Sequence, residues 1–304
     1  MTGAGAGAGP AARAAGETAP APAGSAGRPS LLRRLARDRA AMVGAVLLVA
    51  LTLAVVAAPW LAPDDPLRVD APNRLASPSL DHPFGTDMLG RDMASRLLFG
   101  GRSSLLMALA ATAGLSVVGL VVGVVTGMLG GVVDALVMRV VDVVQALPML
   151  IIAMVAIGLW GRGADKLVAV FVAVGWPGYA RVVRGATLAL RERPYVDAAR
   201  SLGASRLRVM WRHIVPNLVG PVTVLSTLDL GRILLGLTAL SFLGFGVQPP
   251  DPEWGRMLAD ARSYFYRAPQ LMVYPGMAIS VLVLAVNLCG DGLRDALDVK
   301  IGPR

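Results

Sequence analysis

The chain has 304 residues, 55% hydrophobic and 16% charged, with a net charge of +9. Soluble domains carry roughly 25% charged residues, and the uncharged stretches at 40–63, 103–133, 143–161, 233–250 and 268–290 are more than one soluble core of this size would bury. A hydrocarbon layer about 30 Å thick takes roughly 20 apolar helical residues, so the composition excludes a soluble domain and points to an all-α polytopic membrane protein.

The stretches lack two-residue alternation and are too long for outer-membrane strands, which excludes a barrel. Cys289 is the only cysteine, so no disulfide forms within the chain. His82 and His213 stand far apart, so no zinc-type ligand cluster forms.

In chain order, residues 1–29 are Ala, Gly and Pro with few charges, a composition that reads as a disordered tail. "SLLRRLARDR" (30–39) is a short basic amphipathic lead-in, either a solvated helix end or a segment meeting anionic lipid. The first span, about 40–62, is too long for a typical signal-peptide core and has Pro59 where cleavage would be sought, so it reads as a retained anchor. Residues 64–102 follow as an external segment. Within it, "GTDMLGRD" (85–92) lacks the Gly-Lys-Ser/Thr ending of a phosphate loop and the acidic spacing of a calcium loop. It reads as a structured turn in which Asp87, Arg91 and Asp92 pair locally or face a partner.

Span two (about 103–130) carries Gly119, Gly123 and Gly127 four apart, a spacing that lets a neighbouring helix approach. Span three covers about 138–160, with Arg139 and Asp142 expected to pair at its start. Span four (about 166–186) is the least apolar, because Arg181 and Arg184 must snorkel or follow the helix into water. Span five (about 216–246) contains Asp229 and Arg232, three apart and able to meet on one face. They are a structural pair or the lining of a polar path. "GVQPPDPEW" (246–254) cannot remain helical through its prolines and ends in Trp254, suited to an interfacial belt. Span six covers about 271–290.

Six spans with the N-terminus inside place 18 of the 29 Lys and Arg inside and ten outside, against nine and ten of the acidic residues. This is the positive-inside pattern, and it accounts for the basic balance without nucleic acid. Both termini are then cytoplasmic.

The loop between spans four and five reads "PYVDAARSLGASRLRVMWRHIVPN" (194–217). Pro194 suits a helix start. Gly203 can turn the chain through a left-handed conformation. Ser205 is a candidate N-cap for a second helix, and Pro216 marks a transition into span five. The product is a helix–turn–helix elbow whose small residues let another protein approach, although composition alone equally describes a basic loop against headgroups.

The order of residues in this loop closely resembles the EAA motif of ABC-importer permeases. The triplet is Asp197-Ala198-Ala199, followed by Leu202, Gly203 and Ala204 and closed by Pro216-Asn217. Aspartate in place of glutamate keeps the charge and shortens the reach by one methylene. "HPFGTDMLGRDMASRLLFGGRSSL" (82–105), "LSFLGFGVQPPDPEWGRMLADAR" (240–262) and "PGMAISVLVLAVNLCGDGLRDAL" (275–297) resemble the C-type subunit of the dipeptide, oligopeptide and nickel importers. The likeness covers nearly all of residues 30–300.

It implies a type I importer permease fold of six transmembrane helices in a prokaryotic plasma (inner) membrane, with a permease domain over 103–304. The loop 191–217 would couple to an ATP-binding subunit. The implied partners are a B-type permease, two ATP-binding subunits holding ATP and Mg, and an external solute-binding protein. Asp87, Arg91, Asp92 and Trp254 are candidate contacts for that last partner, and Asp229 and Arg232 are candidate linings of the translocation path. No catalytic residue, metal or cofactor is assigned to the chain itself. The family often has a glutamate near position 237, where this chain has Leu237, so no role carries over there. The implied cargo is a dipeptide or oligopeptide, with a nickel complex or another small solute as the alternative. A secondary transporter or a membrane scaffold is the rival reading from composition.

Overall fold

The structure is a computed structural model and describes residues 38–298. The tail 1–29, the lead-in through Arg37, and Lys300 and Arg304 lie outside the described residues. The described residues form helices and connecting loops without a strand; one isolated bridge joins Thr86 and Asp92.

Helix α1 (Arg39–Val56) starts where the Asp38 carboxylate accepts from the Ala40 and Ala41 amides. A single turn, α2 (Ala58–Leu61), follows with proline in its first turn. Helix α3 (Met93–Leu129) runs for 37 residues, begun by the Asp92 carboxylate accepting from the Ser95 amide. At 1.5 Å per residue it is about 55 Å long, well beyond the hydrocarbon thickness. The segment expected to be external therefore ends in helix ten residues before the uncharged stretch begins. Charge marks where a helix enters lipid, whereas the cap marks where it starts.

Span three is not one straight helix. It divides into α4 (Gly131–Ala146) and α5 (Met149–Trp160), which meet at 93°. Leu147 precedes Pro148 and is extended, at φ −100° and ψ 143°. The proline ring disfavours helical geometry in the residue before it. Helix α5, with 12 residues, is about 18 Å long, too short to cross alone. Among the described residues, five helices are thus long and apolar enough to cross a membrane, and six spans result if the bent pair counts as one.

Helix α6 (Ala164–Arg191) carries Pro177 inside it and continues past Arg181 and Arg184. After the elbow helices α7 (Pro194–Ser201) and α8 (Arg206–Val209), a π-helical turn at Met210–Ile214 leads into α9 (Val215–Phe242). Helix α9 ends four residues before the expected boundary, with Gly244 at φ +87° completing the stop. Helix α10 (Trp254–Ala261) and α11 (Gln270–Asp298) complete the order.

The glycine ladder decides how closely α3 and α6 pack. A Cβ on Gly119 would lie 2.2 Å from Tyr179 Cβ, one on Gly123 2.6 Å from Val183 Cβ, and one on Gly127 2.7 Å from Thr187 Cβ. Three turns of α3 thus rest directly on the Tyr179, Val183 and Thr187 side chains of α6, as the spacing predicts. Helix α1 lies along α11, where Gly44 meets Leu288 and the Ala285 carbonyl. The main core joins α3, α5, α6, α9, α10 and α11 through Leu115, Ile157, Phe171, Leu237, Trp254 and Leu282.

A Gly123→Leu substitution is expected to pry α3 from α6 at a cost of about 1–3 kcal/mol. Thermal unfolding of the purified protein in detergent checks this. Gly158→Ala, inside a helix and with open space around it, should leave the midpoint the same or higher.

Candidate functional site

Three groups of residues are candidates, and the structure treats them differently. The first is the elbow. Pro194 opens α7, and at its far end the amides of Leu202, Gly203 and Ala204 donate to the carbonyls of Ala198, Arg200 and Ala199 at 2.9–3.1 Å. Gly203, at φ +84°, makes the turn, and Ser205 Oγ accepts from the Arg208 amide to start α8. Val196 and Val209, one from each arm, are fully buried. With Val124, Val183, Ile214 and Leu218 they form a second apolar cluster that plugs the elbow into α3, α6 and α9. Arg191 tightens the joint by donating to the Gly127 carbonyl at 3.1 Å.

The opposite face of the elbow is open. Leu202 is 89% exposed, and Leu207 and Trp211 are more than half exposed. Asp197 and Ala198 are exposed beside them, while Ala199 and Ala204 are half-buried. Asp197 pairs with Arg200 at 3.4 Å on the surface, a contact that contributes little.

Pro216 and Asn217 sit at the elbow's base rather than in it. Pro216 lacks the N–H that an α-turn needs, and the turn before it widens so that the Val215 amide reaches back to Met210 O. Asn217 Nδ2 donates to the His213 carbonyl at 2.6 Å. Pro216 therefore does not separate the elbow from span five. The chain from Arg206 to Phe242 is one rod, so α8 is a direct extension of α9.

The second group is Asp229 and Arg232, which pair at 2.9 Å as their spacing predicts. They line a cavity of about 450 Å³ midway along α6 and α9, walled by Leu115, Met149, Phe171 and Ile233. Tyr179 also faces it, a residue that sequence reasoning missed.

In the third group the local-pairing alternative holds for the loop charges, and Trp254 is buried rather than set at a membrane interface. Asp87, Arg91, Asp92 and Trp254 are all at least 96% buried, so their side chains do not form a docking surface. Asp87 accepts from Arg91 Nε at 2.7 Å and pairs with Arg96 at 3.3 Å. Asp92 takes the Ser95 amide and hydroxyl and meets His82 Nδ1 at 3.0 Å. Trp254 Nε1 donates to the Leu97 carbonyl at 2.9 Å.

Sequence reasoning also passed over Glu253, fully buried next to the tryptophan. It accepts from Ser104 Oγ at 2.8 Å and from the Gly255 and Arg256 amides at 2.9 Å. A carboxylate amid prolines gave no hint of a partner 149 residues away. These residues lock the end of the bundle opposite the elbow.

One further expectation changes. Asp142 pairs with Arg181 of α6, not with Arg139, and Asp134 pairs with Arg184. Both bonds pin α4 across to α6, which gives the two arginines of span four partners of their own.

A bundle of apolar helices with an anchored, open-faced elbow at one end and a charged cavity within defines a helical membrane permease. The comparisons name the family. Residues 119–303 match the model of the binding-protein-dependent transport system inner membrane component. Residues 30–78 match the N-terminal transmembrane domain of oligopeptide transport permease C. The chain belongs to this family of transport permeases.

Among its relatives, a dipeptide transport system permease protein of Alkalihalophilus pseudofirmus is 36% identical over 269 residues, 88% of each chain. A glutathione transport system permease protein of Escherichia coli is 40% identical over 270 residues, 88% of this chain and 89% of the relative. A putative peptide transport system permease protein of Brucella abortus is 39% identical over 269 residues, 88% and 90%.

Glu253→Ala is expected to lower stability by about 3 kcal/mol, since it strands a buried hydroxyl and two amides. Asp251→Ala, exposed in the same loop, should leave thermal unfolding unchanged.

Proposed function

We propose that this chain is one transmembrane half of an ATP-driven importer of dipeptides or short oligopeptides, and that the elbow is its link to the motor. The observation that carries the reading is the two-sided elbow. Its inner face is an apolar plug tied to α3 and α6, and its outer face offers Leu202, Leu207 and Trp211 to solvent. Exposed apolar residues on a rigid mount suit a protein partner that covers them. An ATP-binding subunit gripping that face would displace α8, and the continuous rod would transmit the movement to α9 and its cavity.

In this reading the elbow and both termini are cytoplasmic, in keeping with the excess of arginine on that side. A B-type permease completes the pathway, two ATP-binding subunits hold ATP and Mg and perform the hydrolysis, and a solute-binding protein delivers cargo at the opposite end. The chain itself contributes no catalytic group. Asp229 and Arg232 line the path between the two permeases. The names of the dipeptide, glutathione and peptide permeases that the chain resembles support a peptide cargo. The two sides of the cavity would open alternately as nucleotide shifts the balance of conformations.

Gly203→Val tests the elbow. No atom lies near the site, so the change acts through the backbone alone, where a β-branched residue is strongly disfavoured at positive φ. The variant should insert and pair with its partner permease, yet bind the ATP-binding subunits about tenfold more weakly, the equivalent of roughly 1.4 kcal/mol. Co-purification and ATP-driven peptide uptake in vesicles check this. Normal assembly and uptake would contradict it.

A further inference from the structure

The cavity midway along α6 and α9 has a chemistry of its own. Its walls are apolar, from Leu115, Phe171 and Ile233, and its polar groups are few: the Asp229 carboxylate, the Arg232 guanidinium and Tyr179. The two charges lie 2.9 Å apart, the arginine side chain 80% exposed and the aspartate 16%. Tyr179 sets its buried hydroxyl, without a hydrogen bond of proper geometry among the described residues, in the neighbourhood of Ser116, Ser226 and Asp229. The volume, about 450 Å³, lies within the usual range of small-molecule sites, about 300–1,000 Å³.

We infer that this cavity is a selectivity site for zwitterionic peptides, in which Asp229 meets the α-ammonium and Arg232 meets the α-carboxylate. The inference rests on the importer reading above and adds the chemistry by which the path selects cargo.

The argument is electrostatic. Asp229 and Arg232 are neutral as a pair, so they present a fixed dipole to the cavity rather than a net charge. A lone anion drawn to Arg232 is repelled by Asp229 one helical turn away, and a lone cation meets the reverse. A molecule carrying both signs can lie antiparallel to the pair and satisfy each partner. Guanidinium has five N–H donors and carboxylate about four acceptor positions, so both can take a ligand while remaining bonded to each other. Discrimination of this kind comes as much from the unpaired charge imposed on the wrong solute as from attraction of the right one. The apolar walls accept varied side chains, so the site reads the termini and tolerates what lies between. A neutral dipole also holds its guest weakly, which suits a path that must release it.

The test uses the complete permease–ATPase complex purified without its solute-binding protein, so that only the membrane site is measured. Radiolabelled alanyl-alanine, its N-acetyl form and its C-amide are compared by equilibrium dialysis. The free dipeptide should bind saturably and about tenfold more tightly than either blocked form, the scale of one charge-assisted hydrogen bond. Arg232→Gln should erase the penalty for the C-amide alone, and Asp229→Asn should reduce the penalty for N-acetylation alone. Should a single substitution hinder assembly, Asp229→Asn/Arg232→Gln leaves no unpaired charge and should lose both preferences together.

Absence of saturable binding to the unaltered complex, or wild-type preferences retained in the variants, would overturn the inference. ATP-driven uptake by the same complex with its binding protein is measured in parallel. If uptake proceeds while the preferences are absent, the selectivity site fails and the importer reading stands; if uptake is absent, the importer reading itself fails.

Discussion

The contact on which the rest depends is the apolar plug beneath the elbow. Val196 and Val209 come from its two arms, Val124 and Val183 from α3 and α6, and Ile214 and Leu218 from the base of the rod. Each buried aliphatic side chain contributes about 1.5–3 kcal/mol relative to exposure, so the cluster holds an otherwise short and polar segment firmly. Without it, the eight-residue α7 would be too brief to persist as a helix. With it, the elbow moves only when the helices beneath it move. The exposed leucine and tryptophan side chains of the elbow therefore sit on a rigid mount rather than on a loose loop.

The two ends of the bundle are built by different means. Opposite the elbow, rigidity comes from buried polar groups: Asp87 between two arginines, Asp92 capping the longest helix, Glu253 gathering a serine and two amides. Such groups cost free energy to bury unless every partner is in place, so this end is fixed in one arrangement. Between the ends, α3 and α6 lie against each other on glycine, close enough that their separation cannot change without loss of packing. The cross-pins from Asp134 and Asp142 to Arg184 and Arg181 bring α4 along with α6.

Much of this was legible in the sequence. Local spacing identified the apolar helices, the glycine ladder, the Gly203 turn, the Ser205 cap and the Asp229–Arg232 pair, because each depends on residues within one or two turns of one another. Three features were not. The bend at Leu147–Pro148 lay inside a stretch apolar enough to pass for a single span, and hydropathy does not register a lost amide. The burial of Asp87, Arg91 and Asp92 was hidden because charged residues in a loop ordinarily face water, and their enclosure depends on packing from outside the loop. The partnership of Glu253 with Ser104 joins residues 149 apart in the chain. Leu207 and Trp211 were not singled out in the sequence, although their spacing of four places them on one side of the helix and Val209 between them on the other.

The account stands on the elbow and the α3–α6 core moving as one body. Spin labels at Leu202→Cys in the elbow and Val121→Cys on the exposed side of α3, in a Cys289→Ser background, measure this directly in the assembled complex. Pulsed dipolar distances should be the same with and without a non-hydrolysable nucleotide. A distance that changes or broadens on nucleotide binding would show the elbow swinging independently of the bundle, and the lever would be lost.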